Sequence, residues 1–109
     1  GFLKEFEKPY SKIFVYDDGT IKGFINIWDL DVIEINSIVV SKRFIGNGIG
    51  NKLLRHIFHT YPSKNIILEV NERNYAAISL YKKNGFKVYG RRKGYYGLSD
   101  ALVMIKEVL

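Results

Sequence analysis

Two residues twelve positions apart offer the most chemistry: Glu69, the one charged residue in the apolar run "IILEV", and Tyr81, in the helical stretch that follows. Strand alternation puts Glu69 on the same side as Ile67 and Asn71, opposite Ile66, Leu68 and Val70. A carboxylate among apolar neighbours has its proton affinity raised by desolvation, which suits a general base. The alternative is a glutamate at an exposed strand end. Tyr81 shares a stripe with Asn74, Ala77 and Ile78, at helical spacings of three, four and seven from Asn74. The small Ala77 leaves room near the phenol for a ligand, whereas a tyrosine on an apolar stripe is ordinarily a core aromatic. His56 and His59, three apart in one helix, could be half a metal site, but no second cluster of His, Asp and Glu completes it, so no metal is expected.

The third feature is the stretch "VVSKRFIGNGIGNKLL", where a β-branched run gives way to Gly46, Gly48 and Gly50 before Leu53 and Leu54 open a helical pattern. Glycines between a strand and a helix let the backbone turn tightly and aim several N–H groups at one point, where the helix N-terminus adds partial positive charge. A phosphate is the natural guest; a tight connection without a ligand is the other reading. The spacing is neither that of a Walker loop nor the G-x-G-x-x-G of dinucleotide-binding folds.

These features need elements to hold them. Phe2, Leu3 and Phe6 have helical spacing and read as the end of a helix closed before Pro9. "SKIFVYDDGTIKGFINIW" reads as a hairpin about Asp18-Gly19, and "DVIEINSIVV" as an interior strand. A helix follows from about Gly48 to Thr60, then the strand "NIILEV". The next helix has Asn74 as N-cap and Gly85 as its left-handed C-terminal residue, and two strands close the chain. The meander followed by two strand–helix–strand crossovers implies a mixed α/β sheet with helices on its faces and parallel pairing in its second half.

At 109 residues this is one domain, 1–109, and its 47% hydrophobic and 26% charged composition is that of a globular chain. No apolar run is long enough for a membrane helix, no signal peptide is evident, and the absence of cysteine fits a cytoplasmic protein. The net charge of +6 favours an anionic partner, yet no nucleic-acid recognition motif or basic–aromatic groove pattern accompanies it.

The glycine stretch resembles the pyrophosphate loop of the GCN5-related N-acetyltransferases (GNAT), Q/R-x-x-G-x-G/A at a helix start. Arg43-x-x-Gly46-x-Gly48 fits formally. The register Gly48-x-Gly50 is preferred because Leu53 and Leu54 then take the family's paired-leucine positions and Phe44 the aromatic slot. Ile45 then stands where Gln or Arg is usual, with Arg43 or Lys42 left to supply charge. "LEVNERNYAAISLYKKNGF" and "YYGLSDALVM" resemble two further family segments, closest to the branch that acetylates protein N-termini, including the RimI-like ribosomal-protein-alanine enzymes.

The resemblance implies a mixed, mostly antiparallel GNAT-type sheet with helices on both faces and the family's N-terminal strand and helix region shortened or absent. It implies transfer of acetyl from acetyl-CoA to a primary amine, with Glu69 as general base through a water and Tyr81 as general acid for the coenzyme A thiolate. Acetyl-CoA would be held by Ile38, Val39 and Val40, by the loop Ile45, Gly46, Asn47, Gly48, Ile49, Gly50 and Asn51, and by Asn74 and Tyr81. Tyr95 and Tyr96 would line the entrance for the amine, expected to be a protein N-terminus; two loop tyrosines that simply cover the sheet are the equal alternative. Small-amine or lysine transfer, or a silent coenzyme A-binding module, are the alternatives. No membrane partner is expected, and both monomer and homodimer remain open.

Overall fold

The computed structural model describes residues 2–7 and 9–108, the first of these stretches by its backbone alone. Strand β1 (Phe2–Glu7) precedes a hairpin of β2 (Ser11–Asp17) and β3 (Ile21–Asp29), then β4 (Ile33–Val40). A 3₁₀ turn, Lys42–Phe44, leads into α1 (Ile49–Thr60), and the chain continues as β5 (Ile66–Asn71), α2 (Tyr75–Lys83), β6 (Lys87–Arg92) and β7 (Ala101–Lys106). The strands form one mixed sheet in the order β1-β2-β3-β4-β5-β7-β6, antiparallel except between β4 and β5.

Two expectations are corrected. The opening segment is a strand paired along β2 from Phe2↔Asp17 to Glu7↔Lys12, not a helix end. The spacing of four between Phe2 and Phe6 satisfies both the helical period and the strand period of two. The unpaired edge of β2 offers backbone donors and acceptors that a helix would leave open.

The helices also do not flank the sheet; both lie on one face. Asn84 on the C-terminal cap of α2 donates to Asn51 of α1 at 2.8 Å, and a Cβ on Gly50 would stand 3.0 Å from Leu80 Cδ2. Handedness explains this. The β4-to-β5 and β5-to-β6 connections join strands of the same direction and step the same way across the sheet, so two right-handed crossovers must share a face. No helix covers the opposite face among the described residues. The second crossover produces no parallel pair, because β7 is inserted between β5 and β6.

The core fills the space between the sheet and the helices. Leu53, Leu54 and Ile57 of α1 are fully buried against Ile25 and Ile27 of β3, Ile33 of β4, Ile66 of β5 and Met104 of β7. Each such side chain contributes roughly 1.5–3 kcal/mol by leaving water. This apolar face fixes the rotation of α1 and therefore where its N-terminus points.

Candidate active site

The sheet opens at one place. β4 pairs with β5 only through Ile33↔Ile66, Glu34↔Ile67 and Ile35↔Leu68. Against β3, Asn26 faces Ser37 and Ile27 faces Ile35, so Asn36 is an extra residue and bends β4 at that point. Beyond the bulge, Ile38, Val39 and Val40 follow β3 while Glu69, Val70 and Asn71 follow β7. The two parallel strands splay, and a cleft lies on each face of the sheet at the opening.

On the helical face, a cleft of about 260 Å3 is lined by Ile38 and Val40, the loop residues Phe44, Ile45 and Gly46, Ile49 and Gly50 of α1, and Ala76, Ala77, Leu80 and Tyr81 of α2. The three glycines have different reasons to be there. Gly46 and Gly48 hold positive φ angles of 91° and 76°, and nothing lies within 4 Å of a Cβ built on either. Gly48 is the N-cap of α1, and no side chain caps that helix. The first bond of the helix is Lys52 N–H to the Gly48 carbonyl, so the amides of Ile49, Gly50 and Asn51 point outward without helical acceptors. Gly50 is instead inside α1, where a Cβ would stand 3.0 Å from the tip of the Leu80 side chain.

The polar position that Ile45 occupies is 68% exposed and contributes only apolar surface. Arg43 lies beside the Phe44 ring, its guanidinium carbon 5.7 Å from the centroid.

Asn74 caps α2: its Oδ1 accepts from the Ala77 N–H at 3.2 Å. Tyr81 is 6% exposed, packed on Phe86 with centroids 5.7 Å apart, and burial pushes its phenol up to about 12. It is thus a core aromatic and a cleft residue together; the two readings of the stripe do not exclude each other.

On the opposite face, a cleft of about 380 Å3 is lined by Glu34, Asn36, Ile67, Glu69, Tyr95, Tyr96 and Val103, with Ile35 and Leu68 at its base. Strand alternation places Glu69 there, with Ile66, Leu68 and Val70 buried on the other side. The apolar setting expected for Glu69 is corrected. Its carboxylate is solvent-accessible and ion-paired with Arg92, whose Nη1 donates at 2.8 and 3.1 Å to both oxygens. Tyr95 and Tyr96 stand edge to face at 5.0 Å, and the Arg92 guanidinium carbon lies 4.2 Å from the Tyr95 ring. Burial is the first cause raising the Tyr96 phenol, with Tyr95 and Glu69 adding to it.

Residues outside the expected set hold this loop. Arg91 donates to Glu72 at 2.8 Å and Asp100 at 3.0 Å; Asp100 accepts from Gly94 N–H, and its own N–H donates to Glu72. The Asp100 N–H and then Arg91 lower the Glu72 carboxyl, and the Gly94 N–H and then Arg91 lower that of Asp100. The cluster Arg91-Arg92-Lys93, which could pass for an anion patch, thus spends its two arginines on carboxylates within the fold. The signal available in the sequence was the neighbouring acids Glu69, Glu72 and Asp100. Glu34 was also missed as a lining residue, although strand alternation from Ile33 and Ile35 points it away from the core.

The site therefore consists of a sheet opened between its one parallel pair, a capless helix N-terminus and glycine turn on one side, and a carboxylate between tyrosines on the other. This combination suits transfer of a group from an anionic carrier to an acceptor reached through the sheet. The profile of the acetyltransferase (GNAT) family matches residues 2–86, and the chain belongs to that family, whose reaction is acetyl transfer. It is 34% identical over 105 residues to a Bacillus subtilis protein named "Putative [ribosomal protein bS18]-alanine N-acetyltransferase", spanning 90% of this chain and 70% of that one. The ribosomal-protein-S18-alanine N-acetyltransferase of Escherichia coli superposes with a TM-score of 0.85 at 25% identity, covering 94% of this chain and 72% of that structure. A Bacillus anthracis protein solved with acetyl coenzyme A superposes with a TM-score of 0.82 at 26% identity, over 93% of this chain and 64% of that one.

Proposed function

We infer that this chain moves acetyl from acetyl-CoA to the N-terminal α-amine of a protein, by direct attack of the amine in a ternary complex. The observation that carries the reading is the splay of β4 from β5, which sets the glycine-loop cleft and the Glu69 cleft on the two faces of one opening. The outward amides of Ile49, Gly50 and Asn51, with the open turn at Gly46 to Gly48, suit the pyrophosphate of coenzyme A. The unpaired β4 edge at Ile38, Val39 and Val40 suits the amides of the pantetheine arm, and an N–H there can polarise the thioester carbonyl. Asn74 caps the start of α2, whose Ala76 and Ala77 line the same cleft.

Glu69 takes the proton from the incoming ammonium through a water, and Tyr81 returns one to the departing thiolate. A phenol near 12 stays protonated at neutral pH, as a general acid must. It is a weak acid against a thiol of about 8.5 in water. The thiolate leaves beside the same apolar walls, where desolvation raises its own proton affinity and narrows that gap.

Likeness to the S18-alanine enzymes supports a protein N-terminus as acceptor, and two tyrosines at the cleft mouth suit a short peptide. A small polyamine is the second reading, favoured by two carboxylates, Glu34 and Glu69, in one cleft. Thiol release from acetyl-CoA with alanyl-terminated peptides, lysine peptides and spermidine separates them. Preference for the alanyl peptide is expected; faster turnover of spermidine would move the assignment to small amines. Acetyl-CoA binding without any turnover would leave the silent binding module that Ile45 raises.

A further inference from the structure

We propose that Arg92 is the positioning residue of the acceptor cleft, fixing the Glu69 carboxylate and the tyrosine loop relative to one another. This rests on the reading of Glu69 as the base and of Tyr95 and Tyr96 as cleft walls.

The geometry is specific. One guanidinium donates to both oxygens of Glu69 on β5 and stacks at 4.2 Å on Tyr95, which in turn stands perpendicular to Tyr96 at 5.0 Å. Arg92 reaches this face because of an irregularity in β6. Val88 pairs with Met104 and Gly90 with Val103, so Tyr89 is an extra residue. In a regular strand, inserting or removing one residue sends every later side chain to the other face. The bulge thus aligns Arg92 with Ala101 and Val103, and so with Glu69, which pairs with Val103. Re-aiming a side chain beside a site is a recurrent use of bulges.

The charged and titratable groups facing Glu69 are Glu34 from β4, Arg92 from β6, and Tyr95 and Tyr96 from the loop; Ile67 and Val103 complete the wall. Arg92 is the cation and Glu34 the second carboxylate among these groups, and Glu69 holds the Arg92 guanidinium more firmly protonated. An exposed ion pair adds little to stability, so its loss is read in the reaction and not in folding.

The test compares wild type, Arg92→Met, Arg92→Lys and, as a charge-matched control on the same strand, Lys87→Met. Thiol release is followed with acetyl-CoA and an alanyl-terminated peptide across pH 5–9, beside thermal melts. Arg92→Met is expected to raise the peptide KM and lower its kcat, cutting kcat/KM about tenfold or more, with acetyl-CoA KM within about twofold. Arg92→Lys restores part of kcat but not the peptide KM, because an ammonium can donate to Glu69 yet lacks the guanidinium that lies over Tyr95. Lys87→Met matches wild type. An unchanged peptide KM in Arg92→Met, or loss accounted for by a lowered melting temperature in both variants, overturns the proposal. Absence of turnover in wild type would instead defeat the functional reading beneath it.

Discussion

Tyr81 is at once a packed core residue and a wall of the cleft on the helical face. Its ring is buried against Phe86, and burial raises the phenol from an ordinary 10 to about 12. A raised folded-state value means that the contribution to stability is complete below pH 10 and lost as the pH rises toward 12. In that window the unfolded chain ionises its phenol and the folded chain does not. The loss is at most roughly 3 kcal/mol. Denaturant unfolding of wild type and Tyr81→Phe at pH 9 and 11.5 checks it: wild type should lose stability relative to the variant, and equal losses would contradict a buried phenol. The stripe Asn74, Ala77, Ile78 and Tyr81 was legible in the sequence because helical spacing fixes what shares a face. The surroundings of Glu69 were not. Its partner Arg92 is 23 residues away, and only the pairing of β5 with β7, of β7 with β6 and the bulge at Tyr89 bring the two together.

At the scale of elements, hairpin, helices and caps followed from local signals: Asp18-Gly19, the Leu53-Leu54 phase, Asn74 and Gly85. Two things did not follow. The segment at Phe2–Glu7 has a spacing that fits either period, and the edge of β2 decided it. The helices were expected on both faces, although the crossover hand, applied to the strand order, places them on one; that order is a long-range fact.

The glycines give a graded prediction. Gly23→Ala would put a Cβ 2.6 Å from the Val39 carbonyl, against backbone that cannot move without parting β3 from β4, and should be the most destabilising. Gly48→Ala, at φ 76°, should cost about 1–2 kcal/mol through its left-handed backbone. Gly50→Ala meets only the tip of Leu80 and gains helix propensity, so it should stay within about 1 kcal/mol of wild type. Denaturant midpoints rank the three, and a different order would contradict the roles assigned here. Asn74→Ala should cost about 1 kcal/mol from the lost cap. Asn74→Ser should recover that stability while the acetyl-CoA KM stays raised, if Asn74 also contacts the ligand.

For the whole molecule, a net charge of +6 suits the anionic carrier proposed above. Screening shortens the reach of this field from about 10 Å at 0.1 M salt to about 3 Å at 1 M. Acetyl-CoA KM should therefore rise with ionic strength while kcat holds, as steady-state kinetics in increasing KCl would show; a flat KM would confine the charge to solubility. The central claim is that the opened sheet joins a carrier cleft bearing Tyr81 to an acceptor cleft bearing Glu69. The most direct measurement is acetyl-CoA binding by calorimetry beside thiol release with an alanyl-terminated peptide, for wild type, Glu69→Gln and Tyr81→Phe. Wild type should bind and turn over, and both variants should bind with little change while turnover falls by about 100-fold or more. Unchanged turnover in both variants would contradict the account.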